Sequence, residues 1–406
     1  MALTAKSHTL RVKRRVFRPY HLPPGRSTCS YPRLASKMNL KSLLLSSDDK
    51  TVRILRRVLS DLEIAIEHCA ASEESVRRLT RRRFEAIIVD CSNPDEAASV
   101  LRAAKAAPVN KRALFILLVE PSLGLRGGFD MGAHFVLHKP LAVERAKASF
   151  RAVRALMKRE RRLQMRVPVQ IPVDCVGSGH YQAHTIDLCE GGMAIQFTGR
   201  VAKENSLRFS LELPGVSGKL DLWGELAWEG SGSQVGVRFK DLAENQRATL
   251  RGWLSRHLPE MDTDDPPVLC RLTDLSLGAC YLTTSSPFPK ATRVILSMRT
   301  ADLEVRVAAV VRVTHPEFGM GVEFLKTTSE QHDQVRRVIE TLRASGEAPE
   351  LLVEPEGLEP SPDDVTISPP VRLDDALLEL FLHHSEVSVE AFLEQMQQQR
   401  QLQASR

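Results

Sequence analysis

The stretch Arg161-Arg162-Leu163-Gln164-Met165-Arg166-Val167-Pro168, followed by Asp187-Leu188-Cys189-Glu190-Gly191-Gly192, decides how the chain reads. The three arginines precede Val167, Val169, Ile171 and Val173, which alternate with polar residues or prolines as a half-buried strand does. They therefore sit on a segment entering a sheet. A guanidinium fork binds phosphate bidentately and also pairs with the O6/N7 edge of guanine, so such a segment suits a planar, multiply charged ligand. Asp187 follows at a strand end, where its carboxylate accepts from the N1–H and N2–H donors of a guanine, and the glycines let a ligand approach the backbone. Each half taken alone has a plainer reading: basic residues complementing a helix end, and an ordinary hairpin turn.

Arg162 and Arg166, then Asp187, Cys189 and Gly192, resemble the PilZ family, whose signature is Arg-x-x-x-Arg followed by Asp/Asn-x-Ser/Ala-x-x-Gly. Leu222-Trp223-Gly224 and Gly236-Val237-Arg238-Phe239 look like that family's later barrel strands, so the resemblance spans about residues 158 to 258. It implies a small antiparallel β-barrel and cyclic di-GMP as ligand. The implied contacts are Arg162 and Arg166 with Arg161 assisting, and Asp187, Cys189, Gly191 and Gly192. Cys189 stands where the family usually has serine, so a weak S–H donor replaces a hydroxyl.

At 406 residues the chain is long enough for several domains, and its composition is that of a globular protein. No apolar run approaches the roughly 20 residues that span a bilayer, and no secretory signal is present. Seven cysteines without paired or metal spacing read as reduced thiols in a cytoplasmic protein, with no metal site. The net charge of +6 is local, since residues 1–37 hold nine Lys/Arg and no Asp/Glu, leaving 6 − 9 = −3 for the rest. That leader reads as a disordered extension, as a product of an early start codon, or as a basic arm; nucleic-acid binding is not expected.

From Met38 the chain alternates apolar strands with amphipathic helices, which implies a parallel sheet covered on both faces, with ligand chemistry at the strand ends. Asp48, Asp90 and Lys139 fall at such ends. This arrangement, with Gly132-Ala133 leading to Leu137-His138-Lys139-Pro140, resembles the response-regulator receiver domain over residues 38–155. The resemblance implies that Asp90 accepts phosphoryl, that Lys139 contacts it, and that an acidic pair including Asp48 holds Mg²⁺. Ser47 replaces the first member of the pair and Leu118 falls where a switch hydroxyl is usual. A phosphorylatable receiver and a pseudo-receiver used for docking both stay open. His134 and His138 read as structural.

A repeat follows: Asp274-Leu275-Ser276-Leu277-Gly278-Ala279 lies 87 residues after the Asp187 motif, and Gly321 lies 85 after Gly236. It implies a second, degenerate barrel over 266–345, without preceding arginines. Residues 346–370 read as an acidic, proline-rich linker. Residues 371–406 read as amphipathic helices that dock a partner or fold back on the body. The expected architecture is an α/β doubly wound receiver-like domain, a ligand-binding barrel over 156–260, the degenerate barrel and a helical tail. The expected function is non-enzymatic signalling through cyclic di-GMP and an unknown protein partner. The rival is a scaffold of docking domains that binds no nucleotide.

Overall fold

β1 (Leu40–Leu45), β3 (Ala86–Asp90) and β4 (Leu114–Val119) are nearly continuous apolar runs, which are stable only where both faces of a sheet are covered. The computed structural model describes residues 40–70, 72–199, 206–230, 233–240, 242–258, 265–300, 303–325, 329–345, 349–359, 375–383 and 389–404, and it covers both faces. With β2 (Ile64–Cys69) and β5 (Phe135–His138) the strands form a parallel sheet in the order β2-β1-β3-β4-β5. That order is a doubly wound sheet with its switch point between β1 and β3. α1 (Asp49–Asp61) and α5 (Val143–Gln164) cover one face. α2 (Ser72–Arg81), α3 (Pro94–Ala106) and α4 (Gly124–Asp130) cover the other. The basic leader lies outside the described residues.

The helix α5 runs unbroken past residue 155 and is no exposed linker. Phe150, Val153, Leu156 and Met157 are fully buried, and so, unusually for charged side chains, are Lys158, Arg159 and Glu160. One apolar cluster contains this helix, the face of α1 and the interior of the second barrel, so receiver-like domain and second barrel share a core. Ser286 donates its hydroxyl to the Ala148 carbonyl at 2.8 Å, and Lys158 reaches Asp265 at 2.8 Å.

The first barrel consists of β7 (Pro172–Val176), β8 (His180–Cys189), β9 (Gly192–Phe197), β10 (Ser206–Leu211), β11 (Leu220–Glu229) and β12 (Gln234–Lys240). The ring β7-β8-β9-β12-β11-β10 closes on itself, and short β6 (Val167–Pro168) pairs outside it with β8. α6 (Glu244–His257) caps the interior with Trp253, whose indole N–H donates to the Pro214 carbonyl at 3.0 Å.

The second barrel repeats this ring with one strand taken from elsewhere. β13 (Val268–Leu275), β14 (Ala279–Thr283), β15 (Thr292–Arg299), β16 (Glu304–His315) and β17 (Gly319–Phe324) match β8 to β12 in order. Among the described residues between α6 and β13, no strand plays the part of β7. After α7 (Ser329–Ser345), β18 (Glu350–Leu358) enters between β13 and β15 and closes the ring, so this barrel is a circular permutation of the first. The expected linker over 346–370 is thus corrected: part of it is a core strand. Leu351 and Val353 point inward, fully buried, while Glu350 and Glu354 face out; a register shift opposite Val294 accommodates Pro355. Residues 360–374 lie outside the described residues.

α8 (Ala376–His383) and α9 (Val389–Ala404) take the second of the two expected courses and fold back on the body. Leu377, Leu380, Phe381, Phe392 and Met396 pack against Ala279, Tyr281 and Val313 of the second barrel. If β18 closes the ring, ending the chain after Ser345 should abolish cooperative thermal unfolding of the second barrel and expose 268–324 to protease. A truncated chain that melts as sharply as the full one would contradict this.

Candidate functional site

The antiparallel pairing of β6 with β8, Val167 to Leu188 and Pro168 to Asp187, carries Arg166 to the end of the motif strand. There Arg166 Nη1 donates to Asp187 Oδ1 at 2.6 Å, and the Ala194 amide donates to the same oxygen at 3.2 Å. Both side chains are partly exposed, 41% and 26%, so an incoming ligand can reach them. Arg166, but not Asp187, lines a cavity of about 500 Å³, within the usual range for small-molecule sites. Its lining includes Arg166, Cys189, Gly191 and Gly192 from the predicted set, with Glu190 and with Leu163 and Gln164 of α5.

The structure divides the predicted residues by role. Gly192 is needed for packing: a side chain there would meet the Val237 carbonyl oxygen at 2.2 Å, where β9 and β12 run together. Gly191 has more room, the nearest atom being the Leu163 carbonyl at 3.6 Å. Cys189 is 3% exposed, and burial pushes its thiol up, keeping it neutral. Arg161 and Arg162 are not on a loop. They form the last turn of α5, because the helix continues to Gln164, and neither lines the cavity. Arg161 instead borders a small crevice against Arg83, Glu85 and Arg112.

Trp228 of β11 lines the cavity while 46% exposed. Its indole lies on Gly236, where any Cβ would sit 2.0 Å from Nε1, so the glycine makes room for the ring. The pattern Trp-x₇-Gly on adjacent strands was visible in the sequence, but only the strand register brings the two together. An aromatic face in such a wall stacks on a purine base.

Glu190, inside the motif turn, carries more than the sequence suggests. Arg159 of α5 donates both prongs of its guanidinium to the Glu190 carboxylate, and its Nε donates to the Glu356 carbonyl at 3.1 Å. Arg251 of α6 bridges Glu190 at 3.1 Å and Glu356 at 3.2 Å, and Arg247 also holds Glu356. Burial alone would raise the Glu190 carboxyl, but Arg159 and Arg251 bring it below the usual range. Next to it, Glu160 accepts from the Leu358 amide at 2.6 Å and meets Arg112 at 3.4 Å. Receiver-like domain, both barrels and α5 therefore converge beside the cavity.

At the strand ends of the first domain, Asp90 and Lys139 meet as expected: Nζ lies 3.1 and 3.3 Å from the two carboxylate oxygens. The Ser46 and Ser92 hydroxyls also donate to Asp90, at 2.7 and 2.9 Å, and Lys139 pairs with Glu120 at 3.0 Å, a partner the sequence did not reveal. Asp48 touches this cluster through its amide, which donates to the Ser46 hydroxyl oxygen at 3.2 Å. It caps α1, accepting from the Lys50 amide at 3.0 Å and the Thr51 hydroxyl at 2.6 Å, which hold its carboxyl below the usual range. Ser47 is exposed, Leu118 is fully buried, and among the described residues no three His, Cys, Asp or Glu side chains gather to hold a metal. Mg²⁺ needs several hard oxygen ligands, so these residues do not fit the ion that the receiver resemblance implies.

In the second barrel the positions matching Gly191 and Gly236 are Gly278 and Gly321, and α8 covers both. The Gly278 amide donates to Asp375 Oδ2 at 2.9 Å, and Phe381 lies over Gly321, its ring within 2.7 Å of where a Cβ would be. Asp375 also caps α8 through the Leu377 and Leu378 amides, at 3.1 and 3.2 Å. The chain's own tail thus fills the face that forms the cavity in the first barrel.

Among curated proteins none matches the chain. The receiver domain of a sensor histidine kinase from Pseudomonas aeruginosa is 21% identical over 29% of this chain and 98% of its own, with a TM-score of 0.26. A chemotaxis response regulator of Vibrio cholerae is 20% identical over 28% and 98%, with a TM-score of 0.26. The PilZ domain of CeSA from a cellulose-synthesizing bacterium is 20% identical over 23% and 95%, with a TM-score of 0.19. The PilZ domain family model matches twice, and the second match ends before the strand that closes its barrel. Residues 160–256 and 258–341 are accordingly two PilZ domains in tandem, preceded by a receiver-like α/β domain.

Proposed function

We propose that this is a signalling protein that takes cyclic di-GMP in the cavity of its first PilZ domain and relays that event, without catalysis, to a protein partner in the cytoplasm. The observation that carries the reading is the partly exposed Arg166–Asp187 pair, whose arginine lines an arginine-rich cavity. The two side chains are the complements of a phosphate and of a guanine edge, and each can exchange its partner for the ligand. Trp228 supplies a stacking wall, and the Gly191 turn admits close approach. For Arg162 to reach the same ligand, the last turn of α5 has to unwind. That turn adjoins Arg159, so differential affinity for its two states would pass to the helix shared with the receiver-like domain and the second barrel.

Two observations favour the scaffold reading: Arg162 sits in a formed helix and does not line the cavity, and Cys189 stands where the family usually has a hydroxyl donor. Calorimetric titration of the full chain with cyclic di-GMP separates the two. We expect wild-type binding and, for charge-assisted hydrogen bonds worth about 1.5–3 kcal/mol, a loss of roughly tenfold or more in Arg166→Ala. Arg162→Ala should lose less, because its contact has to offset the unwinding. No heat and no thermal shift at high ligand concentration would leave the scaffold.

The receiver-like domain is, on this reading, a relay surface. With Asp48 committed to a helix cap and Asp90 enclosed by Lys139, Ser46 and Ser92, beryllofluoride with Mg²⁺ should leave the melting temperature unchanged. A rise of several degrees that disappears in Asp90→Asn would restore a phosphoryl switch.

A further inference from the structure

We propose that the nucleotide site is shared by three modules, with Arg112 of the receiver-like domain and Arg293 of the second barrel completing a phosphate cradle begun by Arg166. This rests on the cyclic di-GMP reading and extends it to residues outside the first PilZ domain. Six arginines line the cavity, Arg83, Arg112, Arg166, Arg238, Arg247 and Arg293, against two carboxylates, Glu190 and Glu356. Those carboxylates are already neutralised by Arg159, Arg247 and Arg251, as described above. Arg247 is spent on Glu356 and Arg166 pairs with Asp187, but arginines still outnumber carboxylates along the wall.

The placement of the outer arginines is built into the fold. Arg293 stands on β15 opposite Gly357 of β18. Gly357, at φ +122°, lets the strand run against the end of α5: a side chain there would meet Leu163 at 2.7 Å and Glu160 at 2.9 Å. Arg293 is thereby held beside the turn that leads to Arg166. Arg112 enters from the loop before β4 and reaches Glu160 only at 3.4 Å, while Glu160 is already bound by the Leu358 amide. Arg83 reaches Glu85 only at 3.9 Å. A phosphate that accepts both prongs of a guanidinium fork competes well against ion pairs of that length. A cyclic dinucleotide carries two phosphates on opposite sides of its ring, so one meets Arg166 and the other meets Arg112 and Arg293. Bound ligand would then bolt the modules together.

The test is calorimetric titration of the full chain with cyclic di-GMP, in wild type, Arg166→Ala, Arg112→Ala and Arg293→Lys. Arg293→Lys keeps the charge and loses the fork, so it is the least disruptive change, and apo melting temperatures identify any variant that fails to fold. The expected result is roughly tenfold weaker binding or more in both Arg112→Ala and Arg293→Lys, with unchanged apo melting. Loss of binding in Arg166→Ala with wild-type affinity in the other two would overturn the shared site while leaving the first PilZ domain as receptor. Absence of binding in wild type would remove the receptor reading and this inference together.

Discussion

The pairing of Arg159 with Glu190 holds the architecture in place. Both side chains are at most 5% exposed, and a buried charge without its partner costs about 3–5 kcal/mol. Arg159 belongs to the helix that finishes the receiver-like domain, Glu190 to the motif turn of the first barrel, and the Glu356 that shares Arg251 with it to the last strand of the second. None of the three segments can swing away without leaving an ion stranded. The modules are therefore positioned by charge satisfaction as much as by apolar contact. Because Glu190 lies between Cys189 and Gly191, the same network reaches the cavity wall.

The second barrel shows what the permutation achieves. Taking its closing strand from after α7 brings Glu356 and Leu358 to the end of α5, where a strand placed before β13 would have a different connection. The same barrel surrenders its own cavity face to α8, through Asp375 and Phe381. One PilZ domain thus keeps an open cavity, while its twin is filled from within and contributes an arginine-bearing strand to its neighbour's wall.

The receiver-like sheet and first barrel were legible because their signals are local. Alternating strands and helices, the Lys139-Pro140 ending and the arginine-to-glycine motif each fit within short windows. β18 was not legible, since its three glutamates and Pro355 made Glu350–Leu358 read as solvated chain. Only the ring's need for a sixth strand gives Leu351 and Val353 their meaning. The burial of Arg159 and Glu160 was hidden for a similar reason: their partners are 31 and 198 residues away. Arg162 was misplaced because nothing in the spacing of the motif says where α5 stops, and Asp48 because a helix cap and a metal ligand use the same carboxylate.

The central claim is that one ligand, bound beside Glu190, is felt by all three modules. Hydrogen exchange of the full chain with and without saturating cyclic di-GMP tests it directly, because local protection reports which segments are tightened. The account expects slowed exchange at the 187–192 turn and also at residues 356–358 and around Arg112. Protection confined to the first barrel, or none anywhere, would contradict it.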